Sequence, residues 1–191
     1  TIEDNTPPTP QKIAFIPISL TETIQYVIKG NGKRVRPILT LLTAEACGGD
    51  PKKALSAALS IELLHNFTLV HDDIMDQDNL RRGKKTVHHK WGVSTAILTG
   101  DAMLSIALKN IHKNYNNKSK IPGIFIEGLL AVCEGQALDK EFETLDNINV
   151  EQYIKMIDLK TGYLLGMSSE IGARTTNIDL ETSKKLMQYG R

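Results

Sequence analysis

From Leu20 onward, apolar residues recur at three- and four-residue spacings, and Gly, Pro and Asn clusters separate the stretches that carry this period. The period predicts helices nearly throughout and hence an all-α fold, with no internal repeat and no Asn-Gly hairpin. Pro37 predicts the first residue of a helix that runs to Cys47 and stops at Gly48-Gly49. Asp50 then caps a helix that opens at Pro51 and continues through ALSAALSIELLHNFTLVHDDIMD, long enough to cross a domain. Further helices are expected over about Ser94 to Ile111 and Ile124 to Lys140, from Asn149, and from near Asp179 to Arg191. Asn149 and Gln152 have the spacing of a capping box. Beyond it, Tyr153, Ile157, Leu164 and Ile171 predict one inward stripe, on which Lys160 and Thr161 also fall.

The first eighteen residues hold four of the seven prolines and no sustained period, so they are expected to form an irregular arm, with KIAFIPI as a short strand at most. Residues 19–191 are then a single helical unit, and 191 residues suffice for a real core. The longest apolar stretches, such as GIFIEGLLAVC, are broken by Glu127 and are expected to fall short of a membrane span. The opening Thr-Ile-Glu-Asp-Asn lacks a charged-then-apolar leader and an initiator Met, which suggests a trimmed, non-secreted chain.

Lys and Arg total 23 against 22 Asp and Glu, so no global field recruits nucleic acid or an anionic membrane. Electrostatic function must therefore be local. Two cysteines, Cys47 and Cys133, sit inside apolar helical patterns; they suit a reducing cytoplasm and are expected to be buried packing residues.

Local chemistry is concentrated at the end of the long helix. Asp72 and Asp76, four residues apart, project from one face with Asp73 beside them. Like charges at a helix C-terminus oppose both one another and the macrodipole, so a cation is the natural compensation. Oxygen-only ligands point to Mg²⁺ shared with a phosphate, although a solvated acidic helix end would read the same way. Arg81, Arg82, Lys84 and Lys85 follow within nine residues of Asp76, and Arg suits bidentate phosphate contacts. His65, nearly two turns before Asp72, shares its face, as a ligand or as a satisfied core histidine. In GNGKRVRP, Lys33, Arg34 and Arg36 precede a helix N-terminus, which makes either a diphosphate cradle or an exposed basic turn. Gln136 and Asp139 are polar among apolar neighbours, and Asp101 shares a stripe with Ile97, Leu104 and Leu108, either as a support to residues that touch the ligand or as a structural group.

In this order, GKRVRP, LLHNFTLVHDDIMDQDNLRRG, GD, EGQALD and KTGYLL resemble the trans-polyprenyl diphosphate synthase family, from about Leu20 to Arg191. DDxxD followed by RRG carries the resemblance most specifically, and Phe67 five residues before Asp72 is similar to archaeal-type short-chain geranylgeranyl or farnesyl diphosphate synthases. The resemblance implies the all-α isoprenoid synthase bundle and a homodimer. It also implies that Asp72 and Asp76 hold Mg²⁺ against an allylic diphosphate contacted by Arg81, Lys160 and Thr161. Lys33, Arg36, His65 and Arg82 would hold isopentenyl diphosphate, with Phe67, or Thr68 by wheel geometry, limiting product length. Catalysis would rest on Asp72, Asp76, Arg81 and Lys160. Lys85 and Asn31 stand where the family often has proline and glycine. The family's second aspartate-rich motif would follow Gly190-Arg191, so the bundle is incomplete at its C-terminus and these residues alone are expected to turn over little. A non-catalytic partner of a full synthase and a terpene cyclase are the competing readings.

Overall fold

A computed structural model describes residues 17–115 and 119–191. The expected arm and the strand in KIAFIPI lie almost wholly outside the described residues; Pro17 and Ile18 open the first helix. The helices are α1 (Ile18–Ile28), α2 (Val35–Ala46), α3 (Pro51–Met75), α4 (Val87–Trp91), α5 (Val93–Asn114), α6 (Ile121–Phe142), α7 (Val150–Ile157), α8 (Tyr163–Arg174) and α9 (Leu180–Gly190). A five-residue π turn, Asp158–Gly162, joins α7 to α8. Between α3 and α4, β1 (Leu80–Arg81) pairs antiparallel with β2 (Lys84–Lys85), a hairpin that helical periodicity did not foresee. It turns through Arg82 (φ 52°) and Gly83 (φ 75°), left-handed positions that no apolar pattern reports.

Helix α3 is the axis of the bundle. Asp50 accepts from Lys52 N at 2.9 Å, and Pro51 follows at the first helical position, as the sequence predicts. Ala57, Ile61, Leu64 and Phe67 pack from α3 against Met103, Ala107 and Ile111 of α5, Phe125 and Val132 of α6, and Leu164, Met167 and Ile171 of α8. Each fully buried Ile, Leu, Met or Phe contributes about 1.5–3 kcal/mol. Across the α3–α5 face, Asn110 Nδ2 donates to Ser56 O at 2.8 Å and to Ser60 Oγ at 2.9 Å.

Four expectations are corrected. The stripe after Asn149 breaks: Leu164 and Ile171 are buried, but Tyr153 and Ile157 are exposed and Met156 faces inward instead. The π turn inserts one extra residue, which rotates α7 by about a third of a turn against α8. Cys133 is exposed because it falls off the inward row Phe125, Gly128, Ala131, Val132 and Gly135, and Cys47, the C-cap of α2, is half-buried. Helix α6 starts three residues earlier than expected and reaches Phe142, so it is long and apolar enough, by length and composition, to cross a membrane. Val35, two residues before Pro37, already belongs to α2, whose N-cap Arg34 is left-handed (φ 53°). The capping box is present, with Gln152 N to Asn149 Oδ1 at 2.8 Å and Asn149 N to Gln152 Oε1 at 3.0 Å.

Candidate functional site at the end of the core helix

The C-terminal turn of α3 sets Asp73 on a different face from Asp72 and Asp76. Asp73 turns away from the bundle axis toward the hairpin, where Arg81 Nε donates to its Oδ1 at 2.5 Å. Burial raises the pKa of Asp73, against the opposing pull of Arg81. Arg81 Nη2 also lies 3.6 Å from Asp72 Oδ2 and 3.8 Å from Asp78 Oδ2, so this guanidinium ties the hairpin to the helix end.

Asp72 faces a cavity of about 360 Å³ between α3, α6 and the π turn. Arg36, His65, Phe67, Thr68, Lys160 and Thr161 line it too, together with His71, Gln136 and Lys140. Lys160 Nζ donates to Asp139 Oδ2 at 2.6 Å and lies 3.5 Å from Asp72 Oδ1. Burial works against the charged lysine, but Asp139 and the nearby Asp72 outweigh it and its pKa is raised. The π turn can reach α6 this closely because residue 135 is glycine: a Cβ there would collide with the backbone of Lys160. Asp76, at the C-cap of α3, receives Lys140 Nζ on its Oδ1 at 2.5 Å.

A second cavity, of about 370 Å³, is lined by Asn31, Gly32, Lys33, Arg34, Val35, Glu62 and Arg82, and shares Arg36 and His65 with the first. Arg34 pairs with Glu62 and donates to Ile28 O and Gly30 O, pinning the glycine-rich loop to α1 and α3. Glu62 Oε1 also accepts from Asn66 Nδ2 at 2.8 Å. At the seam, Arg36 Nη1 is 3.3 Å from His65 Nε2. Burial, then the charges of Arg36, Arg82, Arg81 and Arg34, push His65 down to about 3, so its Nε2 is a free acceptor for the guanidinium. Burial also pulls Arg36 below the usual guanidinium range, with Glu62 acting the other way.

The structure thus brings together Asp72, Lys160, Thr161, Phe67 and Thr68 in one cavity and Lys33 and Arg82 in another, with Arg36 and His65 common to both. Arg81 lines neither cavity and stays on the far side with Asp73. Asp101 is exposed and lies 3.7 Å from His71 Nε2. His71, Lys140 and the Arg34–Glu62–Asn66 network were missed. Lys140 carried a legible signal, since it follows Gln136 by four residues and so shares its face.

Three residues that line the first cavity each carry a buried polar atom that makes no hydrogen bond: Arg36 Nε, Gln136 Nε2, and Asp72 Oδ1, whose cationic neighbour is Lys160 Nζ at 3.5 Å. Buried polar groups are ordinarily satisfied, so orphans gathered around a cavity mark a place for a polar ligand. Among the described residues no three His, Cys, Asp or Glu side chains form a metal cage. Mg²⁺ asks for less, one or two carboxylates with waters and phosphate oxygens completing its shell, and Asp72 Oδ1, which makes no hydrogen bond, with Asp76 one turn on fits that demand.

The depressed pKa of His65 makes a stability prediction. Its folded value lies below the unfolded 6.5, so the unfolded chain binds the proton first and stability falls as pH drops from about 6.5 toward 3. The slope is up to about 1.4 kcal/mol per pH unit, and His65→Gln should flatten it. Denaturant titrations between pH 4 and 7 check this, and an unchanged slope in the variant would place the proton elsewhere.

Fold and site define an all-α bundle whose core helix ends in carboxylates beside two cation-lined cavities, the architecture of the isoprenoid synthases. The sequence profile of the polyprenyl synthetases matches residues 18–191, and the chain belongs to that family. It is 42% identical over 181 residues to a geranylgeranyl pyrophosphate synthase of Geoglobus acetivorans, covering 91% of this chain and 56% of that protein. A geranylgeranyl diphosphate synthase of Saccharolobus solfataricus is 41% identical over 179 residues, 90% of this chain and 53% of the relative. The crystal structure of geranylgeranyl pyrophosphate synthetase from Pyrococcus horikoshii superposes with a TM-score of 0.87 at 41% identity, covering 91% of this chain and 54% of that one. The chain therefore spans about half the length of the curated relatives it matches.

Proposed function

We propose that the protein to which these residues belong is a Mg²⁺-dependent trans-prenyl diphosphate synthase. It condenses isopentenyl diphosphate with an allylic diphosphate, and its product is geranylgeranyl diphosphate. The observation that carries this reading is the cluster of Arg36, Asp72 and Gln136 around one cavity, each with a buried polar atom that makes no hydrogen bond, adjoining a second cavity lined by cations. Two cavities with cations in their linings, meeting at Arg36 and His65, suit two diphosphates held with their reacting ends together.

In this reading Asp72 and Asp76 hold Mg²⁺, which would stabilise negative charge on the departing allylic diphosphate. Lys160 and Thr161 hold that same group from the π turn, and Arg81 sets the position of the aspartates it bridges. Lys33, Arg36 and Arg82 hold the isopentenyl diphosphate, with neutral His65 accepting from Arg36 to fix its fork. The apolar walls given by Phe67, Val132 and Leu164 shelter an allylic cation from water. Exposed Ile126 and Leu130 on α6, with Tyr153 and Ile154 on α7, support a homodimer, and the free thiols of Cys47 and Cys133 suit the cytoplasm. A terpene cyclase needs one diphosphate site, so the second basic cavity favours the synthase.

Incorporation of labelled isopentenyl diphosphate by the full-length protein tests the reading. Product that elongates and stops when EDTA removes the metal supports it, whereas cyclised product or none defeats it. The two cavities should also separate kinetically. Arg36→Ala is expected to raise KM for isopentenyl diphosphate by about ten- to a hundredfold, the loss of a charge-assisted contact, and to affect the allylic substrate less, although Arg36 borders both cavities. Arg81→Ala should act on the allylic side and also lower thermal stability, because it strips buried Asp73 of its partner. Equal effects of both variants on both substrates would show that the cavities are not divided in this way.

A further inference from the structure

Two lysines meet the end of α3 in parallel arrangements. Lys160 Nζ is shared between Asp72 on α3 and Asp139 on α6, at 3.5 and 2.6 Å. Lys140 Nζ is shared between Asp76, at 2.5 Å, and Glu143 at the C-cap of α6, at 2.7 Å. The proposed reaction uses Lys160 but leaves Lys140 without a role, although its side chain lines the same cavity. The two carboxylates hold Lys140 firmly protonated, the hydrogen bond to Asp76 being the larger influence.

An ammonium in contact with Asp76 Oδ1 and a metal ion held by that oxygen would compete for the same lone pairs. We propose that Lys140 is a resident counter-ion of Asp76, which neutralises the helix end in the absence of a divalent cation and withdraws onto Glu143 when the cation enters with a diphosphate. The inference rests on the assignment of Asp76 as a metal ligand made above. Of the three carboxylates that crowd this helix C-terminus against the macrodipole, Asp73 and Asp72 are met by Arg81 and Lys160, and Lys140 supplies the compensation at Asp76. Its displacement opposes binding of free metal. Metal arriving with diphosphate meets less opposition, because the diphosphate offers the displaced ammonium a new anion. Glu143, three residues along the same helix and exposed, favours the withdrawn position. The two partners of Lys140 therefore act in opposite directions on metal affinity, which a merely structural ion pair would not do.

Calorimetric titration of the full-length protein with Mg²⁺, with and without inorganic pyrophosphate, tests this. Lys140→Met and Lys140→Gln should each tighten binding of Mg²⁺ alone by about two- to fivefold, the scale of a partly exposed ion pair, and Glu143→Gln should weaken it by a similar factor. Pyrophosphate should enhance Mg²⁺ binding less in the Lys140 variants than in the parent. Unchanged or weaker Mg²⁺ binding in both folded Lys140 variants would overturn the proposal while leaving the metal assignment intact. Mg²⁺ binding that survives Asp76→Asn unaltered would instead remove the assignment, and the proposal with it.

Discussion

Alanine at Asp72 or at Asp76 is expected to lower condensation by the full-length protein at least about a hundredfold, a typical cost for removing one preorganised charge stabiliser, while its helical content survives. Both side chains sit at the last turn of α3, outside the packed core. Their removal relieves like-charge repulsion at the negative end of the dipole, so no loss of fold is expected. The consequences for their partners differ. Asp72→Ala leaves Lys160 on Asp139, and Asp76→Ala leaves Lys140 on Glu143, so neither strands a charge. Asp73→Ala should behave otherwise, because it leaves the guanidinium of Arg81 without its closest partner and loosens the hairpin. Circular dichroism beside steady-state assays over a Mg²⁺ series checks all three. Near-normal turnover by either the Asp72 or the Asp76 variant would show that the metal is held elsewhere.

Phe67→Ala is expected to lengthen the product beyond geranylgeranyl diphosphate and to cost about 3–5 kcal/mol of stability. Phe67 lies five residues before Asp72, about 7.5 Å down the helix, at a depth where a growing tail would meet it. Its ring serves both the core and the cavity. It is 8% exposed, packs in the main apolar cluster, and meets His71 edge-on at 4.7 Å between centroids, yet it lines the wall below Asp72. Thr68 lines the same cavity, but its hydroxyl donates back to His65 O at 2.8 Å and its small side chain blocks less. Truncating the ring opens space at the floor that a longer tail can fill. Chromatography of dephosphorylated products, beside thermal unfolding, separates the two effects. A destabilised but active variant with an unchanged length distribution would make Phe67 core alone.

What the sequence determined by itself is what local rules control. Caps at Asp50, Asn149 and Asp179 mark helix starts because a side-chain oxygen accepts from an orphan N–H two or three residues on, a contact that needs no distant partner. The shared face of Asp72 and Asp76 follows from helical periodicity in the same way, as does the buried run of α3 through Ile61 and Leu64. The hairpin at Leu80–Lys85 stayed hidden because two-residue strands carry no readable alternation and its turn depends on backbone angles at Arg82 and Gly83. The π turn stayed hidden because one inserted residue changes no composition, yet it turned Tyr153 and Ile157 outward. Only the tertiary structure decided which cation meets which carboxylate. Lys140 on Asp76, Lys160 on Asp139 and Arg34 on Glu62 join residues between 21 and 64 positions apart, through helices packed by their apolar faces. Those faces set where the charged side chains emerge, and the sequence gives no local sign of the register at which two such helices meet.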